Sequence, residues 1–395
     1  MTPVQLLEGL PTPFYLYDDH LLQQTLDALQ EALRGKADYH VHYAIKANAN
    51  PRLLPLLRDA GLGIDCVSGG ELLRAVHSGF APESIVFAGV GKTDEEINLA
   101  LDHDILCLNV ESEAELEVIQ ELAEAKGKVM GICLRINPDV GAHTHAHITT
   151  GLSENKFGID MDDMERLITE AHHMPNVRFL GLHFHIGSQI LAMDDFRALC
   201  LRINELQDRL EASGLSVEML NVGGGLGIDY DTPHIHPIPD FQSYFDTYAQ
   251  YLKLRPGQSL HFELGRAIVG QCGSLISKVL YIKQGKEKQF AIVDAGMTDL
   301  IRPALYEAHH ATDNLSVTGN VRLEDEAADI DEWATYDVVG PVCESSDVFG
   351  VGEALPVTKR GDLLAFRSAG AYGEVMASQY NCRPLAKSYL LSELV

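Results

Sequence analysis

The strongest constraint on the fold is a repeated alternation of strand-like and helix-like segments along the first two-thirds of the chain. Short apolar, β-prone runs recur with segments of helical period between them, which is typical of a parallel α/β fold. Eight runs are predicted as strands, at residues 41–47, 63–67, 85–88, 105–110, 129–137, 179–186, 218–222 and 260–263. Eight strand–helix units in about 230 residues match a (β/α)8 barrel, so a TIM-like barrel is favoured over a doubly wound sheet.

The pattern changes after about residue 267, where short strand-like runs separated by turns predict a mainly β second domain. These runs are residues 275–282, 290–294, 336–339 and 363–366. Residues 13–17 form a further short β-prone run near the N-terminus, and we expect it to contribute to the same β domain. The predicted domains are therefore an N-terminal strand segment at residues 1–25, a barrel at 26–268 and a β domain at 269–395.

The charge of the chain excludes several classes of partner. Asp and Glu number 57 against 30 Lys and Arg, a formal net charge of −27. Repulsion argues against nucleic acid and anionic membranes as partners. Seven cysteines without a CxxC pair do not suggest a disulfide framework. No apolar run approaches the ~20 residues of a membrane span, and no secretory signal is apparent. We therefore expect a cytoplasmic protein.

Polar residues stand where the predicted barrel strands end. Chemistry in such barrels gathers at the C-terminal ends of the strands. The residues at or just beyond those ends are Lys46, Asp65, Asn109, Asn137, His185, Gly223–Gly225 and Glu263. This set is strongly polar for positions flanked by core residues, so we expect an active site on this rim.

Lys46 ends the first strand-like run of the predicted barrel. A lysine buried there is costly unless its amine is needed. The commonest need is a Schiff base, in which a desolvated amine attacks a carbonyl. Most lysines at strand ends simply reach into water, so this interpretation needs support from the rest of the chain.

A glycine run, Gly223–Gly225, follows the seventh predicted strand. Glycines let backbone N–H groups approach an anion, and phosphate sites in barrels often use the loops after strands seven and eight. A tight strand–helix turn explains the run equally well. Arg266 favours anion binding, because its guanidinium offers a rigid fork of donors to a phosphate.

Glu263 ends the eighth predicted strand, where a buried carboxylate must be paired. The pyridine nitrogen of pyridoxal 5'-phosphate (PLP) is one such partner, since it stays protonated when a carboxylate faces it. A salt bridge to Arg266 or to another cation is the alternative.

His183 and His185 alternate along the sixth predicted strand and so share one face. Such a pair suits a metal, as does a second alternating set formed by His143, His145 and His147. No acidic or cysteine ligands complete either set, so we expect PLP and no metal. One of His183 and His185 would then stack on the cofactor ring, and Ser188 is a candidate phosphate donor.

Two segments of the second domain suggest chemistry. Cys343 and Glu344 place a thiol beside a carboxylate in a turn, although a lone cysteine is usually a semi-buried structural residue. Tyr372 lies in a Gly-Ala-Tyr-Gly segment where backbone can approach a ligand. Arg302 and Tyr306 are four residues apart, and a single arginine is most often a surface residue.

In chain order these segments resemble the fold-type III PLP-dependent decarboxylases, which act on ornithine, lysine, arginine or diaminopimelate, and above all the diaminopimelate decarboxylases among them. The resemblance runs through nearly the whole chain. Its motifs are residues 43–48, 185–189, 223–225, 263–266, 302–306, 343–347 and 370–373. It implies a barrel plus a β domain, as in alanine racemase, and a homodimer whose active sites lie at the subunit interface.

The family motifs also imply roles for individual residues. Lys46 would form the Schiff base with PLP, His185 would stack on its ring, and Glu263 would face the pyridine nitrogen. The phosphate or bound substrate would be surrounded by Ser188, Gly223, Gly224, Gly225, Arg266 and Tyr372. The substrate would be held by Arg266, Arg302, Tyr306, Glu344 and Tyr372. Cys343 and Glu344 would come from the partner subunit, with Cys343 as the proton donor.

The implied reaction is the decarboxylation of meso-2,6-diaminopimelate to L-lysine and CO2. A decarboxylase of ornithine, lysine or arginine is the near alternative, but those substrates would leave Arg302 without a distal carboxylate. A non-catalytic PLP-binding homologue is a second alternative, against which Lys46, Cys343 and Glu344 together argue. A PLP racemase is a third, and it would need a second base opposite Lys46.

Overall fold

The computed structural model describes residues 3–140, 156–325 and 330–394. The chain divides into two compact units. The barrel unit comprises Leu26–Gly227 and Asp240–Gly265, and the β unit comprises Met1–Thr25, Ile228–Pro239 and Arg266–Val395. The segment Ile228–Pro239 thus joins the β unit although barrel segments flank it in sequence.

The chain begins with α1 (Pro3–Glu8), β1 (Phe14–Tyr17) and α2 (Asp19–Leu33). The barrel strands follow as β2 (Tyr39–Ala44), β3 (Gly63–Cys66), β4 (Ile85–Phe87), β5 (Cys107–Val110), β6 (Met130–Arg135), β7 (Val177–His183), β8 (Met219–Asn221) and β9 (Ser259–Leu264). These parallel strands pair in sequence order, and β9 pairs with β2 to close the barrel. The predicted eight-stranded barrel is therefore confirmed.

The helices between these strands are α3 (Leu54–Asp59), α4 (Gly69–His77), α5 (Asp94–Asp102), α6 (Glu113–Lys126), α7 (Met164–His173), α8 (Met193–Ala212) and α9 (Phe241–Tyr251). Local sequence accounts for several helix starts. The hydroxyls of Ser68, Thr93 and Ser112 accept the backbone N–H three residues on, and Thr93 forms a full capping box with Glu96. Such caps satisfy N–H groups that the first helical turn otherwise leaves unpaired.

The barrel strands carry near-continuous apolar runs because helices and interior side chains cover both faces. One core cluster of this unit joins five buried side chains from five successive strands, namely Val86, Cys107, Cys133, Leu180 and Met219. This packing fills the barrel interior and holds the strand ends in a fixed arrangement.

The β unit is built on β10 (Gly273–Gln284), β11 (Gln289–Val293), β12 (Thr312–Asn314), β13 (Trp333–Val339), β14 (Val348–Pro356), β15 (Leu363–Phe366) and β16 (Lys387–Leu390). Its short helices are α10 (Arg266–Val269), α11 (Arg302–Tyr306) and α12 (Leu315–Thr318). The strands follow the order β12-β15-β10-β11-β13-β14, while β1 pairs with β10 and β16. A mainly β second unit is thus confirmed, although β12, β14 and β16 were not predicted.

The core of the β unit brings the chain's beginning and end together. Phe14 and Leu16 of β1 pack with Ile276 of β10, Leu363 of β15 and Leu391, which follows β16. Across the described ranges, no helix has both the length and the apolar character needed to cross a membrane.

Candidate active site

Lys46 and Asp65 meet at the carboxyl ends of the first two barrel strands. Lys46 lies in the 3-10 turn Ile45–Ala47 directly after β2, and the register of β2 with β3 places Ala44 beside Asp65. The Lys46 Nζ lies 2.5 Å from Oδ2 of Asp65. The Asp65 side chain is fully buried, whereas that of Lys46 is 37% exposed. Burial of Lys46 is therefore only partial, and its amine can be reached from outside.

Asp65 is unusual in its charge state. Burial and the charge of Glu263 raise the pKa of its carboxyl, the opposing charge of Lys46 lowers it, and the pKa that results is about 7. A carboxyl that titrates near neutrality beside an amine can take a proton from that amine.

Glu263 is buried at the end of β9 and has three hydrogen-bond partners from three other strands. Its Oε1 accepts from the amides of Asn109 (3.1 Å) and Asn221 (2.7 Å), and its Oε2 lies 3.1 Å from Nε2 of His183. Burial raises the pKa of Glu263, but the charge and hydrogen bond of His183, with a contribution from Lys46, outweigh burial and hold it below its usual range. The carboxylate is therefore ionised, and its Oε2 keeps room for a further donor.

His183 and His185 have different partners. Nε2 of His183 contacts the Glu263 carboxylate, whereas Nδ1 of His185 lies 3.4 Å from the backbone nitrogen of Gly224. Burial, with the charges of Arg135 and Lys46, lowers the pKa of His185 to about 3, so its ring is neutral. A neutral, flat imidazole is suited to stacking on an aromatic ring.

Neither histidine of this pair belongs to a metal-binding arrangement among the described residues. The group of acidic or histidine side chains there that could hold a metal consists of Glu113, Glu117 and Glu170. The other candidate histidines, His143, His145 and His147, lie outside the described residues.

The glycine run is shaped by close packing. Gly223 has φ +67°, and a Cβ on Gly224 would lie 2.0 Å from the carbonyl oxygen of Glu263. The loop that carries Ser188 runs alongside, since Ile190 donates its N–H to the Gly225 carbonyl. The positive φ of Gly223 and the close backbone contact at Gly224 thus explain why both positions are glycine.

In the β unit, Arg266 and Arg302 are both buried, unlike most single arginines. They share one aromatic ring, that of Tyr230. The Arg302 guanidinium lies 4.4 Å from the ring centroid, and Nη1 of Arg266 donates to the Tyr230 hydroxyl at 2.6 Å. The Tyr372 ring lies 4.8 Å from the Arg266 guanidinium. Tyr306 ends α11, the helix that Arg302 begins.

Cys343 and Glu344 are exposed on the loop between β13 and β14. This loop is held by Asp347, whose carboxylate accepts N–H bonds from Val342 (2.7 Å) and Met297 (2.6 Å). The Glu344 carboxylate accepts a hydrogen bond from the Tyr380 hydroxyl at 2.9 Å. The thiol and carboxylate therefore project from a fixed turn of the surface.

Several residues of these clusters were not assigned a role from the sequence: Asn221, Tyr230, His310 and Asp347. Asn221 lies two residues before the first glycine of the run, and Asp347 ends the motif that begins at Cys343, so nearness to a motif is the sequence signal for these two residues. Asn137, which was on the predicted rim, instead joins Ile159 through its backbone.

The comparisons with known proteins decide the family. Residues 20–270 match the model of the pyridoxal-dependent decarboxylases, pyridoxal binding domain. The diaminopimelate decarboxylase of Bacteroides thetaiotaomicron is 62% identical over 100% of this chain and 99% of its own length. This chain belongs to the diaminopimelate decarboxylase family. The predicted family, its PLP cofactor and its carboxy-lyase class are confirmed.

Solved structures agree with this assignment. The crystal structure of diaminopimelate decarboxylase from Helicobacter pylori complexed with L-lysine has a TM-score of 0.89 and 38% identity, covering 99% of this chain and 98% of that one. The arginine decarboxylase of Paramecium bursaria Chlorella virus has a TM-score of 0.82 at 21% identity, covering 98% of each chain. The second likeness shows the fold alone.

The barrel residues fit PLP. The cofactor has an aldehyde, a pyridine nitrogen and a flat ring, which match the Lys46 amine, the ionised Glu263 carboxylate and the neutral His185 imidazole. Oδ1 of Asp65 is buried and has no hydrogen-bond partner in the described part of the chain, as expected where a bound polar group completes a site.

Proposed function

We propose that this chain decarboxylates meso-2,6-diaminopimelate to L-lysine and CO2 with PLP. The supporting observation is Arg302, a buried guanidinium that forms no ion pair with a carboxylate in residues 3–140, 156–325 and 330–394. A buried charge without a counter-ion is costly. A substrate that carries a second, distal carboxylate supplies that counter-ion, whereas ornithine and arginine lack one.

The barrel residues would prepare the cofactor site. Asp65 Oδ2 takes a proton from Lys46 Nζ, which leaves the amine nucleophilic. Glu263 would keep the pyridine nitrogen protonated, and His185 would stack on the ring. The chemistry that bound PLP would supply is an electron sink for the electron pair left by the departing CO2. Ser188 and the Gly223–Gly225 turn would bind the phosphate.

The β-unit residues would recognise the substrate. Arg302 and Arg266 bind the distal carboxylate through the planar donor geometry of the guanidinium. Tyr306 and Tyr372 add hydroxyl donors, and Glu344 binds the distal ammonium. Together they select an amino-acid group at the far end of the substrate.

We further propose a cytoplasmic homodimer with shared active sites. Cys343 and Glu344 are exposed on their own chain, where neither has a buried environment in which to act. Insertion into the partner's site would desolvate them, and Cys343 would then protonate the carbon that has lost CO2.

Release of CO2 by the purified holoenzyme tests the reaction. We expect turnover of meso-diaminopimelate, with ornithine, arginine and lysine at least about a hundredfold poorer in kcat/KM, since each lacks a charged group that the site binds. Higher activity on ornithine would reverse the assignment. Racemisation without CO2 would identify a racemase.

The Cys343→Ala variant tests the proton donor. It should keep the absorbance of bound PLP and lose about two to four orders of magnitude in kcat. Full activity in this variant would refute the assignment of Cys343.

Mixed dimers test the shared site. Lys46→Ala and Cys343→Ala proteins should each be inactive alone. If each site takes Lys46 from one subunit and Cys343 from the other, random mixing restores about a quarter of wild-type activity. No recovery after verified subunit exchange would exclude a shared site.

A further inference from the structure

We infer that Tyr230 and His310 are positioning residues that hold the guanidinium groups of Arg302 and Arg266 ready for the substrate's distal carboxylate. This inference rests on the proposed function. Its basis is a set of contacts within the β unit through which neutral side chains set the direction and spacing of both cations.

His310 has a single protonation state that suits these contacts. Its Nδ1 lies 2.7 Å from the carbonyl oxygen of Arg367, which can only accept, so Nδ1 carries the hydrogen. Nε2 is then a lone-pair acceptor, and it lies 2.8 Å from Nη1 of Arg302. The imidazole is buried and neutral, and it accepts one of the five N–H donors of the guanidinium.

Tyr230 lies between the two arginines. Its ring face supports Arg302, its hydroxyl accepts from Arg266, and its ring packs edge-on against His310 with centroids 5.0 Å apart. Two buried guanidinium groups repel each other. The negative face of the ring and the phenol oxygen offset part of that cost and fix the distance between them.

The two segments that carry these residues are joined along their length. Ala311 donates its N–H to the Tyr230 carbonyl at 3.0 Å, and His309 lies 2.7 Å from the Asp231 carboxylate. The two residues that flank His310 therefore contact Tyr230 and its neighbour Asp231, and these contacts join the two segments. Such support limits side-chain movement in the way that a preorganised binding site needs.

The chemical type of the partners is the main argument. A carboxylate beside Arg302 would hold it equally well but would compete with the substrate's own carboxylate. The imidazole and phenol are neutral acceptors, so the positive charge remains available to the ligand. A pair whose only task was to stabilise buried arginines would be expected to include an acid.

Two substitutions of His310 separate positioning from simple packing. Glutamine places its amide oxygen near the position of Nε2 and can still accept from Arg302, whereas asparagine reaches only the Nδ1 position. On the holoenzyme we expect His310→Asn to raise the KM for diaminopimelate about tenfold and to change kcat by less than about threefold. His310→Gln should stay within about threefold of wild type in both constants.

A binding measurement makes the test independent of turnover. L-lysine keeps the carboxylate of the distal amino-acid group, while cadaverine has none. Calorimetry on the PLP-loaded protein should show about tenfold weaker L-lysine binding in His310→Asn, with cadaverine binding changed by less than about twofold. Tyr230→Phe, which loses only the phenol, should weaken L-lysine binding less than Tyr230→Leu, which also loses the ring.

The control is His173→Asn, an equivalent exchange on the exposed end of α7. Equal constants for His310→Asn and His310→Gln, or a loss in melting temperature without a loss in L-lysine affinity, would overturn the inference. If the wild-type protein fails to decarboxylate diaminopimelate, the proposed function fails. If it succeeds and His310→Asn binds L-lysine normally, only this inference fails.

Discussion

At the scale of single residues, the site depends on opposing effects at two carboxyl groups. Asp65 and Glu263 are both buried, yet burial dominates at Asp65, whose pKa rises to about 7, and the charge and hydrogen bond of His183 dominate at Glu263, whose pKa falls. The difference follows from their neighbours, because the charge of His183 lowers the pKa of Glu263, whereas the charge of Glu263 raises that of Asp65 against the effect of Lys46. One carboxyl can thus move a proton while the other keeps its charge.

Asp65→Asn tests the proton acceptor. The carboxyl must be ionised to accept a proton, so wild-type activity should fall as pH drops below about 7. The amide cannot titrate, so the variant should lose this acidic limb and about two orders of magnitude in kcat. A kcat/KM profile between about pH 5.5 and pH 9 measures both effects.

The matched control is Asp162→Asn, an exposed aspartate near the start of α7. Its profile should coincide with that of the wild type. An unchanged acidic limb in Asp65→Asn would show that another group sets the limb.

At the scale of elements, the turn after β8 is held by backbone contacts. A methyl group on Gly224 would collide with the Glu263 carbonyl, which is itself part of β9. We expect Gly224→Ala to destabilise the protein by about 1–3 kcal/mol and to weaken PLP binding, because the strand end must shift. Urea denaturation and PLP titration measure the two effects.

Gly91→Ala is the control for that substitution, since a Cβ there meets nothing within 4 Å. It should change stability by less than about 0.5 kcal/mol. Equal stability of the two variants would contradict the packing argument at Gly224.

The loop between β13 and β14 depends on a single carboxylate. Asp347→Ala removes the acceptor of two backbone N–H groups and frees the turn that carries Cys343 and Glu344. We expect kcat to fall at least about tenfold and stability to fall by about 1–3 kcal/mol. Ser345→Ala, on the exposed part of the loop, should change neither quantity appreciably, and normal kcat in Asp347→Ala would show that the loop needs no such anchor.

At the scale of the whole molecule, buried neutral histidines limit stability in acid. Burial lowers the pKa of His42 to about 4, and burial together with nearby cations lowers those of His185 and His310 to about 3. The unfolded chain binds these protons near its ordinary pKa of about 6.5, so stability is full above that pH and is lost as pH falls below it. Each histidine contributes at most about 2 kcal/mol of loss by pH 5.

Net charge acts in the opposite direction. The charge of −27 approaches zero near the pI of about 4.9, and acidification relieves that repulsion. We expect the histidine effect to prevail once about 0.5 M salt screens the repulsion, with the melting temperature falling from pH 7 to about pH 5. A rising melting temperature in high salt would contradict this expectation.

The local pattern of the chain was sufficient for the barrel and for the residue types of the site. A short apolar run between turns is enough to predict a strand, and eight such runs follow one another in the part of the chain that forms the barrel. The missed strands lack it: β12 is the polar triplet Thr312–Asn314, and β14 contains two glycines and exposed positions. Their pairing in the sheet, not their composition, makes them strands.

The sequence by itself determined that a lysine, a carboxylate, histidines, glycines and arginines would stand at the ends of defined elements, because strand and helix periods are local properties. Only the tertiary structure decided which of them touch. Asn109 reaches Glu263 across 154 positions, and Tyr230 separates Arg266 from Arg302 through a segment that leaves the barrel unit. Such contacts depend on barrel closure and sheet register, which bring together residues that no local pattern relates.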